Sequence, residues 1–296
     1  MSKKTVSSKT RLVLRTSKTN LTSYNGFQWP EKGPVEAPDW QPTYECGNGL
    51  HGLLEGVGST QYLNLDPTAK WQVVEVEEAD LLTGQGDLTD KCKFRKGNVV
   101  YTGNRTDAID YLANHGCPTE KMVFAVLSDT HDNSIVIGMG DYSTLTGGNG
   151  SKLTGGNGSE LIGGNCSKLT GGDYSTLTGG CGSELTGGNY STLTGGNDSK
   201  LTGGYDSTLT GGNGSKLTGG NGSKLTGGDD SILTGGNYST LTGRNYSTLT
   251  GGDGSILNIT WWDGNRYRQT IGYVGENGIK ANVAYRCNHK GELVKA

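Results

Sequence analysis

Pairs of threonine recur at a fixed place in an eight-residue repeat in the second half of the chain. The two threonines of a pair flank a leucine, so in an extended strand both side chains point to the same side. Each offers a hydroxyl and a methyl group, and β-branching keeps its χ1 angle stiff. Ranks of such side chains can order surface water, with hydroxyls bonding water and methyls lying in the water cages. The candidate water-ordering residues are Thr144, Thr146, Thr176, Thr178, Thr192, Thr194, Thr208, Thr210, Thr240 and Thr242.

The repeat that carries these pairs has a strict period. Serine recurs every eight residues from Ser143 to Ser255, leucine follows two residues later, and Gly-Gly separates the copies except at Arg244. A fixed period of this kind is typical of a solenoid. Serine and leucine alternate with outward residues, so they share the inward face of a short strand. Gly-Gly-Asn/Asp is expected to form the corner, with positive φ on these residues.

One copy cannot bury its leucine alone, but two facing copies can, for example with Leu193 against Leu201. The sequence therefore predicts a coil of two copies, sixteen residues in all, that stacks on its neighbours at about 4.8 Å per step. Residues 140–258 supply about seven such coils.

Alternate copies then lie on opposite faces, and the residue X between serine and leucine differs between them. On the first face, here the threonine face, X is Thr144, Glu160, Thr176, Thr192, Thr208, Lys224, Thr240 and Ile256. On the second, here the lysine face, X is Lys152, Lys168, Glu184, Lys200, Lys216, Ile232 and Thr248. The tyrosines that directly precede serine are also more frequent in the copies of the threonine face, with four there and one on the lysine face. We interpret the threonine face as functional, although threonine is also an ordinary solvent-facing strand residue. The lysine face is interpreted as a solubility device, with docking of acidic partners or a second copy as the alternative.

The remaining segments have ordinary compositions. We predict a mainly β protein: an α/β domain over 1–118, a lead-in over 119–139 with a strand pair in 121–138, the β-solenoid over 140–258, and a small cap over 259–296. Strands are expected over 70–82 and 97–103, and a helix over 106–114 capped by Thr106. The aromatic tail is expected to cover the last leucine layer, Leu257, through Trp261, Trp262, Tyr267, Ile271 and Tyr273.

Composition excludes several classes of protein. The 52 glycines suggest disorder, but the strict period argues against it. A net charge of −3 without blocks of like charge argues against a nucleic-acid partner. The N-terminus MSKKTVSSKTRLVLRT has no signal-like apolar run, and no segment approaches the about 20 apolar residues of a spanning helix. The six cysteines lack CxxC spacing, and Cys166 and Cys181 are expected to be neighbours in stacked coils, as two buried thiols or as a disulfide.

Two further classes of protein, calcium-binding solenoids and enzymes, fit the sequence poorly. Calcium-binding solenoids need nine-residue spacing, with an Asp where this chain has Lys152 or Glu160. An enzyme would have to use His51 with Cys46, Glu55 and Asp66, and no catalytic spacing recurs among them. The sequence predicts a protein that is not an enzyme and has neither a cofactor nor a metal.

Several stretches together resemble bacterial ice-nucleation proteins. The N-terminal part is carried by RLVLRTSKTNLTSYNGFQWPEKG (11–33), NGLHGLLEGVGSTQYL (48–63), AKWQVVEVEEADLL (69–82) and KFRKGNVVYTGNR (93–105). The repeats are similar to that family's octads, roughly A-G-Y-G-S-T-x-T, and WWDGNRYRQTIGYVGENGIKANVAYRCN (261–288) is similar to its C-terminal cap. The Ala-Gly corner is replaced here by Gly-Gly, and tyrosine lies one place closer to serine.

The resemblance implies a bacterial protein of the outer membrane or cell surface, held there through its N-terminal domain, whose Thr-x-Thr ranks order water or ice. It also implies a homo-oligomer assembled through basic residues. The candidates for assembly are Lys152, Lys168, Lys200, Lys216 and Arg244. The short repeat and the interruptions at Glu160 and Lys224 predict activity that is weak in a monomer and stronger in an assembly. The alternative is a structural or adhesive rod without ice activity.

Overall fold

The computed structural model describes residues 9–23 and 25–296. The chain forms two compact units, the first ending at Ala125 and the second beginning at Val126. Residues 1–8, within the N-terminal stretch predicted to lack a signal, lie outside the described residues.

The first unit is an antiparallel sheet with one α-helix. Its elements are β1 Thr10–Ser17, β2 Gly33–Glu36, β3 Leu50–Leu54, β4 Lys70–Glu77, β5 Leu81–Thr83, β6 Cys92–Phe94, β7 Lys96–Gly103 and α1 Arg105–Asn114, with 3-10 turns at Thr60–Tyr62, Glu78–Asp80 and Gly86–Leu88. The strand order is β2-β7-β4-β1-β3-β6-β5, and every pairing is antiparallel. Apolar residues of these strands, including Val13, Val74 and Phe94, pack into one core. The single strand predicted over 70–82 is in fact two strands, because β4 ends at Glu77 and a 3-10 turn at Glu78–Asp80 separates it from β5.

The cap of helix α1 was predicted wrongly. The capping residue is Asn104, whose side-chain oxygen accepts a hydrogen bond from the Asp107 backbone N–H at 2.9 Å. Asn104 has extended φ and ψ, as a capping residue requires, because it directly follows strand β7. Thr106 lies one residue inside the helix and cannot take that role.

The second unit consists of short strands that alternate between two sheets. They are β8 Val126–Asp129, β9 Ile135–Gly138, β10 Thr144–Gly147, β11 Lys152–Gly155, β12 Glu160–Ile162, β13 Lys168–Thr170, β14 Thr176–Thr178, β15 Glu184–Thr186, β16 Thr192–Thr194, β17 Lys200–Thr202, β18 Thr208–Thr210, β19 Lys216–Thr218, β20 Lys224–Thr226, β21 Ile232–Thr234, β22 Thr240–Gly243, β23 Thr248–Thr250, β24 Ile256–Trp262, β25 Tyr267–Tyr273, β26 Ala284–Cys287 and β27 Leu293–Lys295. Even-numbered strands from β8 to β24 form one parallel sheet and odd-numbered strands from β9 to β23 the other.

The predicted β-solenoid with a sixteen-residue coil is confirmed. Thr176 pairs with Thr192, and Thr192 with Thr208, each sixteen residues further along the chain. Lys168 and Lys200 both pair with Glu184 in the opposite sheet. There are eight coils rather than seven, because β8 and β9 of the lead-in build one outside the fixed period of the repeat. Leu127, which pairs with Leu145, and Val136, which pairs with Leu153, fill the inward positions in that coil.

Leucine and serine line the inside of every coil. Each repeat leucine from Leu145 to Leu257 is at most 1% exposed, and so is each repeat serine from Ser143 to Ser255. A buried hydroxyl needs a partner, and from Ser167 to Ser255 a glycine carbonyl of the preceding coil accepts a hydrogen bond from each repeat serine. The Ser191 hydroxyl, for example, donates to the Gly172 carbonyl at 3.2 Å, and the Ser199 hydroxyl to that of Gly180 at 3.2 Å. The interior is thus a leucine stack beside a hydrogen-bonded serine stack.

The corners follow a different rule from the one predicted. Positive φ falls on the residue before serine, as at Tyr174 (59°) and Asp198 (57°), and not on Gly-Gly. The glycine pair is required by close contact instead. A Cβ on Gly187 would lie 2.7 Å from the Ser191 Cβ, and one on Gly188 would lie 2.7 Å from the Asp173 backbone N. The side chains at the Asn/Asp position also link successive coils. Asn165 Oδ1, for example, accepts a hydrogen bond from the backbone N–H of Cys181, one coil later, at 2.9 Å.

Cys166 and Cys181 lie in adjacent coils, as expected, and the Cys166 N–H donates to the Cys181 carbonyl at 2.8 Å. Both thiols are free and exposed. The expectation of buried thiols was therefore wrong. The two residues belong to a corner, whose side chains point away from the leucine stack.

The C-terminal segment closes the solenoid by adding antiparallel strands. Strand β25 pairs with β24, β26 pairs with β23, and β27 pairs with β26. The predicted aromatic cover was mostly wrong, because Trp262, Tyr267, Ile271 and Tyr273 are about half exposed. Opposite residues of an antiparallel pair share a face. Ile271 and Tyr273 stand opposite the outward Asn258 and Ile256. The core is instead covered by Ile259, Val274 and Tyr285, with Trp261, Ile279, Ala281, Val283, Cys287 and Leu293 packed around them.

Candidate functional site

The threonine face contains one uninterrupted block of threonine pairs. Strands β14, β16 and β18 are neighbours in the sheet, and each carries Thr-Leu-Thr. All six threonines of this block are exposed, while the leucine between each pair is fully buried. The alternation of a strand thus holds both outward side chains of each pair on a rigid backbone.

The spacing of the block follows from β geometry. Neighbouring strands lie about 4.8 Å apart, and residues two apart along a strand are about 6.6–6.8 Å apart. Cα pairing without a register shift keeps Thr176, Thr192 and Thr208 in one rank and Thr178, Thr194 and Thr210 in a second. The six hydroxyls and six methyls therefore form a regular two-rank lattice on the protein surface.

The other predicted pairs are on the same face but separate from this block. Thr144 and Thr146 are divided from it by Glu160 and Ile162 of β12, and Thr240 and Thr242 by Lys224 of β20. All four of these threonines are half-buried. The candidate residues thus share one sheet, but only six of the ten are contiguous.

The lysine face carries an ion-paired ladder. The Glu184 carboxylate lies 3.1 Å from the Lys168 ammonium and 3.6 Å from that of Lys200. The hydrogen bond from Lys168 and the charges of both lysines lower the pKa of Glu184. Exposed pairs of this kind contribute little stability. The pairs neutralise part of the charge on this face, and its role in solubility or in docking of acidic partners stays a prediction. Lys152 and Lys216 are exposed in the same sheet, and the role of all four lysines in assembly stays a prediction.

Arg244, the remaining assembly candidate, lies at a corner and not on the lysine face. Its Nε is 3.7 Å from Asp229 Oδ1, and its guanidinium lies 5.4 Å from the centre of the Tyr267 ring. Arg244 therefore already contacts the cap of its own chain, and its role in assembly also stays a prediction.

A tyrosine cluster at one corner was only partly foreseen. Tyr174 and Tyr190 stack with ring centres 5.0 Å apart, and Tyr205 meets Tyr190 edge-on at 5.6 Å. Tyr174 and Tyr190 directly precede serine, whereas Tyr205 occupies the Asn/Asp position one residue earlier. The signal that identifies it is the spacing of fifteen residues from Tyr190, which brings it to the same corner one coil later.

The four residues that an enzyme would have to use do not form one cluster. Cys46 and His51 line one cavity of the first unit, but Glu55 pairs with Arg11 at 2.6 Å and Asp66 bonds Thr68 of its own turn. Among residues 9–23 and 25–296, no cluster of three His, Cys, Asp or Glu side chains is placed to hold a metal ion. In the same ranges, the helices are too short or too polar to cross a membrane.

His51 makes the stability of the first unit depend on pH. Burial, aided by the charges of Lys91 and Lys93, lowers the pKa of His51 to about 4 from 6.5. Between pH 6.5 and pH 4 the His51 imidazole is protonated in the unfolded chain and neutral in the folded unit. The free energy of unfolding therefore falls as the pH is lowered from 6.5 toward 4. We expect thermal unfolding midpoints measured at pH 7 and pH 4.5 to differ more in the wild type than in His51→Gln. Equal differences would show that this imidazole is not responsible.

Comparison with known proteins concerns mainly the first unit. A family model described as a domain of unknown function (DUF7666) matches residues 11–110. An ice nucleation protein of Pseudomonas fluorescens is 39% identical over 104 residues, which are 35% of this chain and 8% of that protein. One of Xanthomonas campestris pv. translucens is 44% identical over 104 residues, 34% of this chain and 6% of the relative. Ice nucleation protein InaU of Pantoea ananas is 35% identical over 106 residues, 35% of this chain and 10% of the relative.

The matched segment is therefore a tenth or less of the length of these relatives. No solved structure matches the chain. Within these bounds, the predicted resemblance is confirmed for the N-terminal hundred residues, which are similar to the corresponding segment of bacterial ice nucleation proteins.

Proposed function

We propose that this protein binds ice and promotes its nucleation through the threonine face. The observation that supports this most is the in-register block on β14, β16 and β18, in which each strand presents two threonines, with one hydroxyl and one methyl on each. The names of the relatives that match the N-terminal segment support the same activity independently of this block.

The chemistry depends on rigidity. A threonine in a strand keeps its hydroxyl in one direction because β-branching restricts χ1, so the position of a bonded water is fixed in advance. Neighbouring strands repeat that position at about 4.8 Å, so the bonded waters are held at a regular spacing. The methyl groups hold the adjacent water in cages around apolar surface, so the first water layer is already ordered before freezing.

The size of the block limits the activity of one copy. Three strands span about 10 Å along the stack, so the face stabilises only a small ice embryo. We infer that a monomer nucleates weakly and that side-by-side assembly of copies strengthens nucleation by enlarging the template. Attachment to a bacterial cell surface through the first unit belongs to the same proposal and rests on the resemblance of that unit.

A five-residue variant tests the proposal. Changing Thr144, Thr176, Thr192, Thr208 and Thr240 to Lys replaces rigid hydroxyls with mobile, strongly hydrated cations. We expect droplets of the purified variant to freeze at the temperature of buffer alone, while the wild type freezes at a higher temperature. Circular dichroism on both proteins checks that the solenoid is intact.

The matched control carries the same change on the opposite sheet. Thr170, Thr186, Thr202, Thr218 and Thr234 are outward residues of the lysine face, and changing them to Lys adds the same charge. This control should freeze like the wild type. Wild type, variant and control that all match buffer would refute ice nucleation and favour the structural or adhesive rod.

A further inference from the structure

The first unit contains a cavity that plays no part in the proposed ice chemistry. Its volume is about 980 Å³, and it lies beside the end of β1, the start of β3 and the loop residues 61–64. Phe27, Trp29, Tyr62 and Leu63 provide apolar and aromatic walls. A cavity of this size and lining is typical of a small-molecule site.

Arg15 is a buried cation in the lining of this cavity. The residue is 6% exposed, its Nη1 donates to Gln72 Oε1 at 2.5 Å, and its guanidinium lies 3.4 Å from the centre of the Trp29 ring. Its Nε has no hydrogen-bond partner among the described residues, and none of their carboxylates lies within 4.0 Å of it. Burial lowers the pKa of Arg15 to about 9, so the group stays charged at neutral pH. A buried charge without a counterion is costly unless a ligand supplies one.

Two more residues of the same lining carry a buried polar atom that lacks a hydrogen-bond partner within the described part of the chain. These are the hydroxyl of Ser17, a residue 2% exposed, and Nε2 of His51. Buried polar groups are nearly always hydrogen-bonded. Three unpaired polar atoms on residues of one cavity therefore indicate a polar ligand.

The charges of the lining determine the sign of that missing group. Arg15, Lys18 and Lys91 line the cavity, against one lining carboxylate, Asp39. Lys91 is 7% exposed, and its ammonium contacts Cys46 Sγ at 2.9 Å and lies 4.2 Å from the centre of the Tyr62 ring. Among the described residues no carboxylate lies within 4.0 Å of Lys91 either. Lys18 and Asp39 are exposed, so the two buried charges of the lining are the cations Arg15 and Lys91, and both favour an anionic ligand.

We propose that this cavity binds a small organic anion, with a carboxylate or phosphate group held by Arg15, Lys91 and Ser17 and an apolar body against the aromatic walls. Guanidinium and ammonium groups are the usual partners of both anions. The size of the cavity exceeds that of an inorganic ion and accommodates an aromatic acid.

Calorimetric titration of the full chain tests this with benzoate and phenyl phosphate as probes and benzyl alcohol as the neutral control. We expect one-to-one binding of at least one anion, with the stronger of the two identifying the head group, and none of benzyl alcohol. Ser17→Ala and Lys91→Gln should each weaken binding, Lys91→Gln by roughly 10- to 100-fold, the loss typical of a hydrogen bond to a charged group. Lys168→Gln, which removes the same charge from the solenoid, should leave binding unchanged.

Arg15→Gln is avoided as the main variant because it endangers the fold of the first unit. The proposal is overturned if neither anion binds at millimolar concentration. It is also overturned if benzyl alcohol binds as well as the anions, or if Ser17→Ala and Lys91→Gln bind like the wild type. None of these outcomes depends on freezing activity.

Discussion

Droplets containing the triple variant Glu160→Thr, Ile162→Thr and Lys224→Thr should freeze at a higher temperature than droplets of the wild type. These residues are the interruptions of the threonine face between β10 and β22. Removing them joins the central block to both outlying pairs, so the unbroken array grows from three strands to seven. Its length along the stack then rises from about 10 Å to about 29 Å. A longer template stabilises a larger ice embryo and lowers the nucleation barrier.

The lysine face offers a control with the same three residue types. Lys152→Thr, Glu184→Thr and Ile232→Thr make the same chemical changes on exposed outward positions, with the same net charge, and leave no more than two neighbouring Thr-Leu-Thr strands on that face. The ion pairs lost with Glu184 are exposed and contribute little to stability. This control should freeze like the wild type. If both triple variants raise the freezing temperature equally, threonine content and not the threonine face controls nucleation.

Leu193→Ala should reduce the free energy of unfolding of the solenoid by about 2–5 kcal/mol. Leu193 is fully buried in the leucine stack, between Leu177 and Leu209 of the neighbouring coils. Each coil contributes only two leucines to the core, so a cavity here has few neighbours able to move in and fill it. Urea unfolding followed by circular dichroism measures the loss, and hydrogen exchange should show reduced protection centred on β16.

The same experiment on Lys200→Ala provides the comparison, since this side chain is exposed on the next strand along the chain. We expect a change near zero, within about 0.5 kcal/mol. A Leu193→Ala protein as stable as Lys200→Ala would mean that the hydrogen-bonded corners and serine stack, rather than leucine burial, hold the coils together.

Sequence alone determined the architecture of the repeat. The strict spacing of Ser143 to Ser255 and the alternation of a strand fix which side chains point inward, because every copy meets the same neighbours. The difference between Thr192 and Lys200 then fixes the sixteen-residue coil and its two faces. Local periodicity is sufficient here, since each contact in the solenoid is a copy of the one before it.

Only the tertiary structure decided the features that break this regularity. The lead-in strands build an eighth coil because Leu127 and Val136 fit the stack, although both fall outside the eight-residue period of the repeat. The cap turns most of its aromatic residues outward because its strands pair antiparallel. The cap sequence has no repeat from which this register could be predicted. The cavity of the first unit brings together Arg15, His51 and Lys91, which are far apart in the chain. Each of these depends on contacts between dissimilar segments, and such contacts leave no repeating pattern in the sequence.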